Sequence, residues 1–182
     1  MATLSVGGTT VFDGSALQSG VTGSPVLTLP STTTFPDGHV VQVVTNTYGT
    51  SVVSNTTTLI DTGLFCEITP SNNTNKILVM VGLSGLRKTG NTNFHIQLVR
   101  AANGSSNLTP VIHKASRWDL YTADSTEQRN GLSFHYLDSP GTASATNYKV
   151  VFASGEGVAG AQLQQSNADT VSVMTLMEIV AS

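Results

Sequence analysis

The sequence predicts an all-β protein: an antiparallel β-sandwich of the jelly-roll type, preceded by an extended N-terminal arm. Three observations carry that reading. From His39 onward, short extended runs alternate with turn signals at the spacing of an antiparallel sandwich or barrel. No segment sustains a 3.6-residue apolar period, which disfavours helical bundles and repeated βαβ units. The last run, Asp169 to Val180, is apolar on both faces, with Val171, Val173, Thr175, Met177 and Ile179 on one and Ser172, Met174, Leu176, Glu178 and Val180 on the other. That pattern predicts a central strand in a packed region, with Glu178 facing solvent or meeting a partner. The expected count is about eight to ten strands, and eight in two sheets is the usual jelly-roll number. An immunoglobulin-like sandwich stays open, although the paired core cysteines of antibody domains are missing.

Taken in order, residues 1–36 stand apart as an arm and residues 37–182 as the head. In the arm, Leu4, Val6, Val11, Phe12 and Leu17 are too sparse for a core and too many for a Gly/Ser linker. They are expected to dock the arm on a partner or a neighbouring copy. Pro25, Pro30 and Pro36 stiffen the passage into the head. His39 to Thr45 reads as a Val-rich strand. Thr58 to Ile60 and Leu64 to Thr69 read as two short strands broken at Asp61-Thr62-Gly63. Lys76 to Leu83 holds the continuous run Ile77-Leu78-Val79-Met80-Val81, expected of a strand covered on both faces. Phe94, Ile96 and Leu98 alternate with polar residues. Asn103-Gly104 is the dipeptide a type I′ hairpin prefers, with Leu108 to His113 as the return strand. Ala115 to Arg129 fits either a short helix or a long loop. Leu132 to Tyr136, Tyr148 to Phe152 and the closing run complete the set.

Composition narrows the function classes. The charged residues make up 10% of the chain, against about 25% in ordinary soluble domains. Ser, Thr, Asn and Gly carry the polarity instead, as is common in extracellular and viral β-proteins. A net charge of −3 with eight scattered basic residues argues against nucleic-acid binding, which needs clustered Lys and Arg. The one adjacent basic pair, Arg87-Lys88, reads as the solvated tip of a loop. Cys66 is the single cysteine and, between Leu64 and Ile68 on one strand face, reads as a buried structural thiol. No run reaches membrane-spanning length and no secretory signal is visible, so synthesis in a cytoplasm without membrane insertion is expected.

The motifs that resemble chemistry fail on context. Gly155-Glu156-Gly157-Val158-Ala159-Gly160 matches G-x-G-x-x-G, but too little chain follows for the remaining α/β units, so a glycine-rich loop is expected. In Gly82-Leu83-Ser84-Gly85-Leu86-Arg87-Lys88-Thr89, Arg87 stands where a phosphate-binding loop needs glycine. His39, His95, His113 and His135 lack metal-ligand spacing, and no G-x-S-x-G elbow or carboxylate pair marks a hydrolase. The expectation is a protein that is not an enzyme and holds no metal or cofactor. Trp118, Tyr121 and Tyr136, with Asp119 nearby, form the best sugar- or receptor-contacting patch, since aromatics beside carboxyl or amide groups suit sugar binding.

Phe35-Pro36-Asp37-Gly38-His39-Val40-Val41-Gln42-Val43-Val44, then Ile60-Asp61-Thr62-Gly63-Leu64, then Ile68-Thr69-Pro70-Ser71 leading to Lys76-Ile77-Leu78-Val79, form an ordered series. Leu137-Asp138-Ser139-Pro140, Tyr148-Lys149-Val150 and Met174-Thr175-Leu176-Met177-Glu178-Ile179 continue it. Together they resemble the C-terminal head domains of tail-fibre and virion-surface proteins of tailed bacteriophages. The resemblance implies a trimeric jelly-roll head on the virion surface, made in the host cytoplasm, with no catalytic motif. It implies a short fibre or capsid decoration protein held to capsid or tail proteins by its arm. The alternative it implies is a fibre tip that binds a host-surface glycan through loops at Arg87 to Asn93, with Arg87 and Lys88, and Ala115 to Arg129, with Trp118, Asp119 and Tyr121.

Overall fold

The computed structural model describes residues 36–102, 111–122, 127–157, 160–164 and 170–181, and in the N-terminal part residues 3–6, 9–13 and 16–17. The strands among them are β1 (Thr3–Val6), β2 (Thr9–Asp13), β3 (Ala16–Leu17), β4 (Val40–Tyr48), β5 (Val52–Ser54), β6 (Ile60–Ile68), β7 (Lys76–Lys88), β8 (Thr92–Ala102), β9 (Val111–Thr122), β10 (Gln128–Asp138), β11 (Thr146–Ser154), β12 (Ala161–Leu163) and β13 (Ser172–Ile179). The chain divides into two compact units, Met1–Thr34 and Phe35–Ser182.

In the first unit, the stretch read as an arm contains β1, β2 and β3 joined in one antiparallel sheet. The register sets Leu4 opposite Phe12 and Phe12 opposite Leu17. It slips by one residue between Leu4 and Ser5, which leaves Val11 without an opposite number.

The second unit is a jelly roll. One sheet runs β4-β13-β7, with β10 on the other edge of β7; the second runs β6-β11-β8-β9. Counting only the long strands of this unit, one sheet takes the first, eighth, third and sixth, and the other the second, seventh, fourth and fifth. Two nested Greek keys produce that order. Because β7 is long, β12 and β5 extend the first sheet alongside its far half, with Gln162 opposite Arg87. The alternation read from the sequence supplies the core. Val79, Val81, Met174 and Leu176 from the first sheet meet Leu64, Cys66, Ile96, Leu98, Tyr148, Val150 and Phe152 from the second, all buried. The rings of Phe94 and Phe152 stack with centroids 6.3 Å apart. At one end the buried Asp138 carboxylate stitches the sheets together, accepting from the Tyr148 hydroxyl (2.7 Å) and from Arg100 (2.5 Å). Burial first, and the bond to Asp138 second, push the Tyr148 hydroxyl well above the ordinary tyrosine range.

Several expectations are corrected here. Asp61-Thr62-Gly63 does not break a strand. It is a bulge within β6, where the register against β11 shifts between Lys149 and Val151. The Thr62 hydroxyl donates to the Val150 carbonyl (2.8 Å), and Gly63 takes a positive φ of 81°. Arg87 and Lys88 are not at a loop tip, because β7 runs through them. Ala115 to Arg129 is neither a helix nor one long loop: β9 continues to Thr122 and β10 starts at Gln128. Among the described residues, the run Ile77 to Val81 and the closing strand are covered on one face only. The predicted Asn103-Gly104 turn lies outside the described residues.

Candidate interaction surface

The register of the first sheet fixes what its outward face carries. Moving across β4, β13, β7 and β10, one row reads Val43, Met177, Leu78, Leu137. The next reads Thr45, Thr175, Met80, His135, and the one after it Thr47, Val173, Gly82, Ser133. None of these residues is an acid, a lysine or an arginine. The alternation that points Val79, Val81, Met174 and Leu176 inward necessarily points their neighbours out. Nothing in the described residues covers them: Val43 is 53% exposed, Leu137 48%, Val173 37% and Val171, just before β13, 52%.

The face has relief. The row through Leu78 forms an apolar ridge from edge to edge. Two rows away, Gly82 has no side chain to fill its place. The result is a shallow hollow of about 360 Å³ walled by Met80, Ser133, His135, Val173 and Thr175. A Cβ at Gly82 would sit 3.2 Å from Val173 Cγ1, so the glycine is what keeps the hollow open. Between ridge and hollow the hydroxyls of Thr45 and Thr175 bond each other at 3.1 Å, leaving that polar pair internally satisfied. The second sheet differs: Val99, Ala101, Val151 and Ala153 are buried although they alternate with its core-facing residues.

The two ends of the head are chemically distinct. At the base, where β4 begins and β13 ends, Glu178 points inward and is fully buried. Its carboxylate accepts from Ser71 N (2.7 Å), Ser71 Oγ (2.7 Å), Asn75 Nδ2 (2.7 Å) and Gln42 Nε2 (2.6 Å). Burial is the largest single influence and would raise its pKa. The donors from Asn75, Gln42 and Ser71 together outweigh it and hold the group below the ordinary glutamate value. This array organises the β6–β7 turn and is structural. A cleft of about 270 Å³ between the end of β8 and the β10–β11 connection is lined by Arg100, Pro140, Thr142, Ser144 and Thr146.

At the opposite end, the tip, Arg87 donates to Gln162 Oε1 (3.1 Å) and Glu127 Oε2 (2.7 Å), while Arg129 bonds the other oxygen of Glu127 (2.5 Å). The bonds from Arg87 and then Arg129 hold the Glu127 carboxyl at about 2, far below its usual range. Lys88 is fully buried and donates to the Gly90 carbonyl (2.8 Å). The expected glycine-rich loop follows β11, and its glycines serve packing. A Cβ on Gly155 would fall 1.8 Å from Asn93 Oδ1, and one on Gly160 2.4 Å from Thr89 Oγ1.

The sequence-predicted residues therefore separate. Arg87 and Lys88 end β7 in the first sheet. Trp118, Asp119 and Tyr121 lie along β9 in the second, Trp118 opposite Phe94. Both strands finish at the tip. His95 and His135 fall on the outward faces of different sheets, and no metal-binding cluster occurs among the described residues. Cys66 is buried, and that burial pushes its thiol above the ordinary value, partly offset by a backbone bond at Glu67. The open face itself was not foreseen. Its signal was present in the two-faced closing run, but the same pattern also describes a strand covered on both sides.

No family model and no curated protein sequence matches the chain. Among solved structures, it is similar to the VP2 subviral particle of infectious bursal disease virus, with a TM-score of 0.43 and 11% identity, covering 86% of this chain and 43% of that one. It is also similar to the structure of the Gt strain of the same virus, with a TM-score of 0.38 and 13% identity over 87% of this chain and 43% of that one. The chain thus spans less than half the length of these proteins.

Proposed function

We propose that the chain is a structural protein of a virus particle: a surface-displayed jelly-roll head of a tailed bacteriophage, trimeric, serving as a short fibre or a capsid decoration. The observation that carries this reading is the outer face of the first sheet, free of acids, lysines and arginines and bearing the exposed apolar side chains of Val43, Leu137, Val171 and Val173. A free-standing protein rarely leaves such a surface in water, whereas a component of an assembly buries it against its neighbours. The jelly-roll strand order, the low charge content and the resemblance to phage head domains support the same reading. In it, the N-terminal unit docks on capsid or tail proteins, with Leu4, Phe12 and Leu17 brought into register and Val6 and Val11 nearby.

Gold-labelled antibody against the head is expected to decorate intact particles in electron micrographs, at either capsid or tail. Label found only on unassembled material would overturn the proposal. A chain starting at Pro36 is expected to stay folded and fail to join particles.

The convergence of β7 and β9 at the tip favours a second reading, in which Arg87, Trp118, Asp119 and Tyr121 contact a host-surface glycan; Lys88, expected from the sequence to join them, is fully buried and drops out of the set. Binding of the purified head to host-cell glycans, lost in Arg87→Ala, would favour it over a purely structural role.

A further inference from the structure

The outer face of the β4-β13-β7-β10 sheet carries a ridge and, two rows away, a hollow. We infer that this face packs against the same face of a second copy of the chain, about a two-fold axis through the row of Thr175 and Met80. The inference rests on the assembly reading above and names the partner that covers the surface.

Three features select a second copy over an unrelated partner. The ridge of Val43, Met177, Leu78 and Leu137 and the hollow over Gly82 lie on either side of the central row. A two-fold through that row sets each copy's ridge over the other's hollow, and an isologous contact has that self-complementarity. The rows between and including them carry no acid, lysine or arginine, so like meets like without charge repulsion or the desolvation of an unpaired ion. The sheet presents an open face with an apolar ridge across it, and two sheet faces stack about 10 Å apart with their strands nearly aligned.

The area sets the strength. Four strands about 4.8 Å apart and about 24 Å of paired length give roughly 450 Å² per copy. About 900 Å² in total falls in the range of weak, transient contacts, so the pair is expected to be weak in solution and completed on a particle, where copies are held together.

The test is analytical ultracentrifugation of the full chain between roughly 5 and 200 µM, a range suited to a weak contact. The expected result is a concentration-dependent dimer, or a hexamer if a three-fold contact also forms. Leu137→Lys and Val43→Lys alter exposed positions and should keep the melting temperature. They should weaken the pairing at least tenfold, returning dimer to monomer or hexamer to trimer. Phe65→Glu, an exposed apolar residue on the other sheet beside Lys149, should leave it unchanged. A monomer at every concentration, a trimer with no even-numbered species, or a dimer indifferent to both lysine variants would each overturn the inference. None of these outcomes touches the particle-location experiment, so the two readings fail separately.

Discussion

Glu178 shows how one residue can set the acid limit of the fold. It is an anion held by amide and hydroxyl donors, inside a strand whose other inward residues are Ser172, Met174 and Leu176. Its folded pKa lies below the unfolded one, so its stabilisation is fully present above the ordinary glutamate value of 4.5. That stabilisation drains away as pH falls through the lower folded pKa. Glu178→Gln puts an amide donor against Ser71 N and Asn75 Nδ2. It is expected to cost about 2–4 kcal/mol at neutral pH, as the loss of a buried charge-assisted network does. Urea titrations at pH 7 and below pH 4 check both halves: the variant should lose stability at pH 7, and its deficit should shrink in acid. An equal deficit at both pH values would remove the carboxylate from the account.

At the scale of elements, the bulge in β6 decides how the first strand of the head meets the second. Gly63 has a φ of 81°, and the Tyr48 ring at the end of β4 lies 2.3 Å from where a Cβ would stand. Gly63→Ala is expected to destabilise by about 2–4 kcal/mol, of which roughly 1–2 kcal/mol is the left-handed backbone and the remainder the ring contact. In a Tyr48→Ala background the ring share should vanish, so a double-mutant cycle reads the coupling directly. The same element shows where sequence reading stops. Asp61-Thr62-Gly63 has the composition of a turn, and only pairing with β11, distant in sequence, turns it into a bulge. Val111 to His113, the start of β9, was read as a strand, but its continuation to Thr122 was missed for a related reason. Lys114, Arg117 and Asp119 interrupt any alternation, and the strand exists because β8 offers it an edge. The strands with clean alternation, β8, β10 and β11, were legible, as were the apolar runs of β7 and β13 and Cys66 in the core. The open face was legible as a list of apolar residues and not as a surface, because exposure depends on whether another layer of chain arrives to cover it.

At the scale of the whole head, chain entrance and chain exit are clipped together at the base. Gly38 N donates to the Val180 carbonyl and Val180 N to the His39 carbonyl, both at 2.9 Å. β4 then runs beside β13 in antiparallel register, with one shift at Val41 between the Ile179–Val40 and Glu178–Gln42 pairs, to Tyr48 opposite Ser172. This gives the head a mechanical direction. A pull applied at Pro36 and resisted at the tip acts along β4, across hydrogen bonds that lie perpendicular to it and must yield together. A pull between Pro36 and Ala181 acts on two neighbouring strand ends and peels the same bonds one pair at a time. Single-molecule stretching with the second handle at residue 90 should therefore need a markedly higher force than with it at residue 181, and equal forces would show that another contact bears the load. The head is therefore strong along the line from base to tip and weak where its two chain ends are pulled apart.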